Sequence, residues 1–512
     1  MTNSDNNRRI VKNTLFLYFR MLLTLGVTLY TSRVVLNNLG VEDFGIYNVV
    51  GGVVTMMAFL SGAMSSATQR FFSFELGRNN LEQLAKMFKM SLNIHWLIVL
   101  IFILVAQTLG GWFVNTQLVI PPERLVAANW VFQCALFSFC CTVLGVPYNA
   151  AIIAHEKMSA FAYISIVDVL LKLTVVFLLA AYDGDKLQLY ALLLAVVSLL
   201  ILVCYYAYAR WQFTVTRFSW YWNTDLFKTL FSYTGWNLFG NIAAVATNQG
   251  INILLNIFFG ATVNAARAIS FQVNSAITGF VTSLQTSINP QIVKSYARNN
   301  HVYLHQLIMR GSKYAFFLLY ALALPILLQT EAVLTLWLVN PPEYTVLFCQ
   351  LVLVDALITS LSGSLMASVQ ATGNIKRYQA VIGGILLLNL PLSYVALCNG
   401  GSAHSVFYVS IVTSITALLF RFVLLRESIN LNVTQFFKKV IGRVLVVVLA
   451  TFLPLSLITL NTGNIVIDFI QNSALIVIYT VMVMFMLGLD KLERDFIKKR
   501  VHHFFKSYVP GV

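Results

Sequence analysis

Charge is the scarcest commodity in this chain. Only 10% of its 512 residues are charged, and acidic residues number 19 against 34 basic ones. A soluble domain carries about a quarter charged residues, so a water-soluble enzyme is excluded, as is a disordered or nucleic-acid-packaging chain. Cysteine is equally uninformative as chemistry. Cys134, Cys140, Cys141, Cys204, Cys349 and Cys398 match no zinc or redox spacing and fall mostly in or beside apolar runs, where a thiol behaves as a small hydrophobe. No disulfide framework is expected, no connection is long enough for a globular domain, and no Walker sequence is present.

What is abundant is apolar sequence: 58% hydrophobic residues and a mean hydropathy of +0.77. Fourteen runs have the length a spanning helix needs: 13–37, 44–69, 88–112, 125–153, 158–181, 187–209, 229–258, 263–293, 311–330, 345–371, 378–397, 404–425, 440–460 and 465–489. They are too long for barrel strands and lack period-two alternation. The fold class expected is an all-α polytopic membrane protein. MTNSDNNRRIVKN leads into a first span that contains Arg20 and has no small-residue cleavage site, so it reads as a retained helix.

The basic residues orient the bundle. With the N-terminus inside, 28 Lys and Arg fall in cytoplasmic segments and at their span ends, and two, Arg124 and Lys186, in outer loops. That asymmetry places both termini in the cytoplasm and requires an even number of spans. The same accounting explains the net charge of +15 without nucleic acid.

The chain also repeats. Arg78-Asn79-Asn80 recurs as Arg298-Asn299-Asn300, Pro121-Pro122-Glu123 as Pro341-Pro342-Glu343, and Gly40 as Gly260, all at one offset of 220 residues. Spans 1–6 and 7–12 therefore read as two parallel copies: a first lobe over 1–210 and a second over 211–428. Two extra spans follow over 429–490, then a basic amphipathic tail over 491–512, expected to lie on the anionic inner leaflet. Parallel duplication is a transporter architecture.

Six-plus-six-plus-two spans, cytoplasmic termini and basic character resemble the multidrug/oligosaccharidyl-lipid/polysaccharide exporter superfamily. Asn13-Thr14, Ser32-Arg33-Val34-Val35, Leu39-Gly40, Asp43-Phe44-Gly45-Ile46-Tyr47 and Gln69-Arg70-Phe71-Phe72 look most like its polysaccharide and O-antigen unit flippases. The resemblance implies a V-shaped pair of lobes around a central cavity. It also implies transfer of a polyprenyl-pyrophosphate-linked glycan, such as a lipopolysaccharide O-antigen unit, from the inner to the outer leaflet of the bacterial cytoplasmic membrane. No cofactor is implied; the partners would be the lipid-linked glycan, membrane lipids and other polysaccharide assembly proteins.

Such a substrate presents a pyrophosphate and many hydroxyls. Arginine suits the first, because its planar fork donates two parallel hydrogen bonds. Arg20, Arg33 and Arg267 lie within spans and are the pyrophosphate candidates, with snorkelling to headgroups as the bland alternative. Arg20 and Arg33 lie about 220° apart around one helix. Lipid II flippases of the same superfamily use cavity arginines on helices 1 and 8. Amides suit the sugar: Asn241, Asn248, Asn252 and Asn256 step by 7, 4 and 4 along the seventh span, with Gln249 beside them and Gln272 on the next. Asp168 and Lys172, four apart on the fifth span, read either as a self-neutralising pair or as an ion relay. Asp355, alone at mid-span, is a candidate coupling carboxylate or a helix–helix hydrogen bond. Pro147, Pro290, Pro325, Pro391 and Pro454 fall in or at the ends of spans, as hinges or packing kinks.

Two other readings stand beside the flippase. A multidrug or cation antiporter of the same superfamily would want carboxylates in its cavity, whereas four basic residues lie within spans against two mid-span carboxylates. An enzyme would need a metal site and a sizeable loop. His301 and His305 sit in a loop without nearby acids, and His502-His503 is a tail pair.

Overall fold

A computed structural model describes residues 3–55, 58–116, 118, 120–217, 219–338, 341–456, 464–491 and 493–495. Among these residues every regular element is helical. The long helices are α1 (Asn3–Thr55), α2 (Ala58–Gly77), α3 (Leu81–Val105), α4 (Leu125–Ala154), α5 (Met158–Ala180), α6 (Lys186–Gln212), α7 (Thr224–Phe259) and α8 (Ala261–Ala297). They continue as α9 (His301–Leu328), α10 (Thr345–Ser360), α11 (Gly363–Thr372), α12 (Lys376–Leu387), α13 (Asn389–Cys398), α14 (Ser405–Ile429), α15 (Gly442–Ser456) and α16 (Ile465–Val483).

Among the described residues, ten helices are long and apolar enough to cross a membrane. The four further expected spans coincide with the two arms of α1 around Gly40 (the second continuing in α2), with α8 and with α15. Each expected span is thus helical where described. Two are broken where a helical path fails locally: α10 and α11 are separated at Leu361–Ser362, and α12 and α13 at Leu388. Pro147, Pro290, Pro325 and Pro454 lie inside α4, α8, α9 and α15. Pro391 is near the start of α13.

The 220-residue offset recurs in the backbone. Gly40 and Gly260 both hold positive φ, 77° and 80°, ending the first helix of each copy; only glycine takes this conformation without steric cost. Asn79 and Asn299 are left-handed at φ 56° and 55°. The next asparagine then caps the following helix: Asn80 Oδ1 accepts from Gln83 N at 3.0 Å, and Asn300 Oδ1 from Tyr303 N at 3.1 Å. α3 and α9 begin at 81 and 301, α4 and α10 at 125 and 345. The repeated letters recur because the same turn needs the same chemistry: a residue tolerant of the left-handed region, then an N-cap acceptor.

Contacts group the residues into two compact units. The first holds Met1–Val245, Ser283–Leu304 and Ala367–Gly384; the second holds Ala246–Thr282, His305–Met366 and Ile385–Val512. In the first, α4 packs on α2 and α6, and α1 runs along α5. Val50, Ala128, Val131, Phe132, Val143, Leu179 and Leu187 form its core. In the second, α10 packs on α14, with Leu255, Ala266, Phe348 and Val406 at the centre. Leu100, Leu104, Leu192 and Leu199 remain exposed along α3 and α6, as lipid-facing surface requires.

Several charges that composition assigns to solvated loops are buried inside the first unit. Arg70, 8% exposed, donates from Nε to Gln370 O at 3.1 Å and from Nη2 to Ala371 O at 2.8 Å, with Phe71, Phe74 and Tyr233 around its guanidinium. Glu156, left-handed at φ 61°, pairs with Lys294 and accepts from Gln291. Arg298, itself exposed, is tied to the same unit by its Nε donating to Gly77 O at 3.1 Å.

Candidate functional site

The first unit contains a half-open cavity of about 420 Å³ between α2, α4, α5 and α6, within the size range of small-ligand sites. Its polar wall is built from helical periodicity. Ser61 and Ser65 lie one turn apart on α2, Thr142 and Asn149 two turns apart on α4, Ser198 and Tyr205 two turns apart on α6. Ser165, Asp168 and Lys172 step by 3 and 4 along α5, which keeps all three on one face. Lys172 Nζ donates to Asp168 Oδ2 at 2.8 Å, with side chains 50% and 28% exposed. This pair therefore belongs to the cavity wall, open on the cavity side, and is not sealed between helices.

Arg20 reaches the same wall from α1. Its Nη1 donates to Ser165 Oγ at 3.4 Å, and its guanidinium stacks 4.7 Å from the centre of the Phe161 ring. Its Nε is buried with no hydrogen-bond partner. Ser165 also meets Tyr205. Arg20, Ser165, Asp168 and Lys172 thus form a continuous polar track: a cation, a hydroxyl, a carboxylate and an ammonium.

A second polar cluster lies in the second unit. Arg267 of α8, 7% exposed, donates through Nη2 to Asn248 O at 3.1 Å and to the Asn248 side chain, and through Nη1 to Asn252 Oδ1 at 3.4 Å. The Phe271 ring lies 4.3 Å below it. The side-chain amide oxygens of two members of the asparagine stripe are therefore engaged by the arginine. Asn256, Gln249 and Gln272 are exposed, and Asn241, in the first unit, is half-buried near Gly62. Asp355, also in the second unit, faces Ser414 of α14, and its Oδ1 is buried without a partner. The side chain of Arg33 lies outside the described residues, as does the tail from 496 onward.

Sequence reading passes over the cavity's hydroxyls. Serine and threonine look like background in an apolar helix, and only their recurrence at spacings of 3, 4 and 7 marks a common face. It also passes over a D-x-D triplet, Asp183-Gly184-Asp185, whose spacing suits metal-assisted glycosyl transfer. The structure uses Asp185 otherwise. It caps α6 by accepting from Leu187 N and Gln188 N, and it pairs with Arg124 at 3.0 Å; Arg124 also holds Asp43. Among the described residues no group of three or more His, Cys, Asp or Glu is placed to hold a metal.

No family model matches the chain, and no curated protein does. Solved structures match its fold closely. One is an outward-facing multidrug resistance MATE family transporter of the MOP superfamily, with a TM-score of 0.70 at 14% identity, covering 84% of this chain and 98% of that one. A MOP superfamily transporter from Pyrococcus furiosus, described by the reverse polarity of its binding pocket as suggesting a different function, matches at 0.67 and 14%, covering 82% and 96%. MATE in a straight conformation matches at 0.69 and 14%, covering 83% and 96%. The chain shares the fold of these transporters. The part left unmatched, about a sixth of this chain, is the size of the two extra spans and tail over 429–512.

Proposed function

We propose that the protein is a flippase for a polyprenyl-pyrophosphate-linked oligosaccharide, an O-antigen or other surface polysaccharide unit, working by alternating access in the bacterial inner membrane with both termini cytoplasmic. The observation that carries the reading is the track in the first unit: Arg20 beside Ser165, followed by the Asp168–Lys172 pair in a hydroxyl-lined cavity. Phosphate asks for a guanidinium fork, and sugar asks for hydroxyls, amides and one carboxylate. Both chemistries are adjacent here. Arg33 and Arg267 are the further pyrophosphate candidates. Asn241, Asn248, Gln249, Asn252, Asn256 and Gln272 are the candidates for a glycan-compatible wall, and Asp355 is the candidate coupling carboxylate.

The alternative is a multidrug or cation antiporter, favoured by the MATE proteins among the structural neighbours. The pocket of the Pyrococcus furiosus protein is described as reversed in polarity, so this fold accommodates pockets of opposite character. A cation exporter needs an unpaired carboxylate where its drug sits, and in the cavity of this chain Asp168 is neutralised by Lys172.

The test is sidedness in cells depleted of the protein. Polyprenyl-pyrophosphate-linked glycan is expected to accumulate where an external glycan-cleaving probe cannot reach it, and restoring the chain should reverse this. Normal sidedness in cells with no redundant flippase contradicts the proposal and turns attention to drug efflux. An Asp355→Asn variant that transports with an unchanged pH profile removes Asp355 from coupling.

A further inference from the structure

From the spacing along α5 we infer that the cavity in the first unit reads its ligand in a fixed order: the diphosphate at Arg20, and the one or two sugars nearest to it at the Asp168–Lys172 pair. This rests on the flippase reading and assigns the Asp168–Lys172 pair to sugar recognition and not to ion coupling.

Three observations point the same way. First, the pair is not sealed. Lys172 is 50% exposed and Asp168 28%, and both line a cavity whose other polar groups are hydroxyls and one amide. A carboxylate and an ammonium held 2.8 Å apart present an acceptor and a donor side by side, the complement of two neighbouring ring hydroxyls, which each donate and accept. Second, the pair is neutral as a unit, so this end of the track favours an uncharged sugar, while Arg20 supplies the charge for an anion. Third, the distance fits. Ser165, which Arg20 touches, and Lys172 are seven residues apart on one helical face, about 10.5 Å along the axis, or the length of about two pyranose rings. Tyr205, which meets Ser165, and Ser198, two turns away on α6, line the same cavity. Tyr205 offers both a ring face to a sugar and a hydroxyl to its edge.

An ion relay would place different demands on these groups. A proton-carrying carboxylate must shed its counter-charge when it loads, yet Lys172 sits one turn from Asp168 on the same helix and moves with it.

The experiment measures binding to the purified full chain in nanodiscs with three probes: farnesyl diphosphate, the same lipid carrying one N-acetylglucosamine, and the same lipid carrying a second neutral hexose. Each added sugar should tighten binding to the wild type. Arg20→Gln should weaken all three probes about tenfold. The double variant Asp168→Asn with Lys172→Met, which removes the pair and keeps the net charge at zero, should weaken only the sugar-bearing probes, about tenfold, and leave farnesyl diphosphate unchanged. The charge swap Asp168→Lys with Lys172→Asp keeps the ion pair and guards against a folding defect; it should bind farnesyl diphosphate normally and still lose the gain from sugars. If the swap binds the sugar-bearing probes as the wild type does, or if the neutral double variant weakens all probes alike or none, the assignment of order is overturned while the flippase reading survives. If no diphosphate probe binds, and ethidium binds in a manner that requires Asp168, the flippase reading itself fails.

Discussion

Arg70 Nη2 donates to Ala371 O at 2.8 Å, joining residues 301 positions apart in sequence. The contact turns what reads as a loop charge into a buried tie between α2 and the C-terminal end of α11. The last carbonyls of a helix have no partner within it and carry the negative end of its dipole, so a guanidinium donating to Gln370 and Ala371 satisfies them together.

Replacing this arginine should therefore cost more than a surface charge would. Arg70→Met strips the Ala371 carbonyl of its guanidinium donor, while Gln370 O keeps Gly373 N and the Tyr233 hydroxyl, and is expected to destabilise the protein by about 1–3 kcal/mol. Arg70→Lys recovers only part of the loss, because an ammonium cannot reproduce the two directed bonds of the fork. Thermal unfolding of purified protein by intrinsic fluorescence checks both.

Glu156 and Lys294 are expected to behave as a unit. Their side chains are 4% and 14% exposed, so Lys294→Met strands a buried carboxylate at a cost of about 3–5 kcal/mol. The double variant Glu156→Gln with Lys294→Met should be more stable than Lys294→Met alone. A double-mutant cycle in denaturant reads the coupling, and additive losses would refute it.

Gly77 marks a close approach. A Cβ added there would lie 2.7 Å from Ala297 Cβ and 2.9 Å from Lys294 Cα. Gly77→Ala should cost about 1–3 kcal/mol through overpacking. Gly26→Ala, where a Cβ meets nothing within 4 Å, should be neutral or gain up to about 1 kcal/mol of helix propensity. The contrast in unfolding temperature between the two variants is the measurement.

His155 supplies a pH dependence. It caps α4, its Nδ1–H donates to Ala151 O at 2.8 Å, and its ring stacks on Phe213 with centroids 4.0 Å apart. Burial, with Lys294 and Lys157 nearby, holds its pKa down at about 4 against an ordinary 6.5. The neutral ring is the folded form, so its contribution is fully present above pH 6.5 and is lost as pH falls toward 4. His155→Phe keeps the stack but cannot titrate. The stability of the wild type relative to this variant should fall progressively between pH 6.5 and 4 and stay flat above 6.5, as unfolding midpoints across that range will report.

Much of the architecture is legible in the sequence, because a membrane leaves few choices. Every run of about 20 apolar residues must satisfy its backbone internally and so is helical. The 220-residue repeat is legible because Asn79 and Asn299 occupy a left-handed position that few residues tolerate. The candidate site is harder to read. Asp168 and Lys172 announce themselves by charge, but Ser61, Ser65, Thr142 and Ser198 are ordinary helix residues until four helices converge on them. Arg70 counts as a topology signal in any tally of loop charge, since composition cannot separate a solvated cation from one whose partners are backbone carbonyls 300 residues away. Asp183-Gly184-Asp185 shows the reverse: a spacing that suits metal binding, with Asp185 occupied by a helix cap and Arg124.

The central claim is that an anionic, sugar-bearing lipid is the cargo. Its most direct test is flipping by the purified chain in proteoliposomes, using a fluorescent polyprenyl-pyrophosphate-linked oligosaccharide and measuring the fraction reached by an impermeant glycan-cleaving enzyme. The account predicts that wild type moves the lipid across the bilayer, and that Arg20→Gln slows the movement at least tenfold. Movement of a cationic dye by the same vesicles, with the lipid-linked glycan left in its original leaflet, would contradict it.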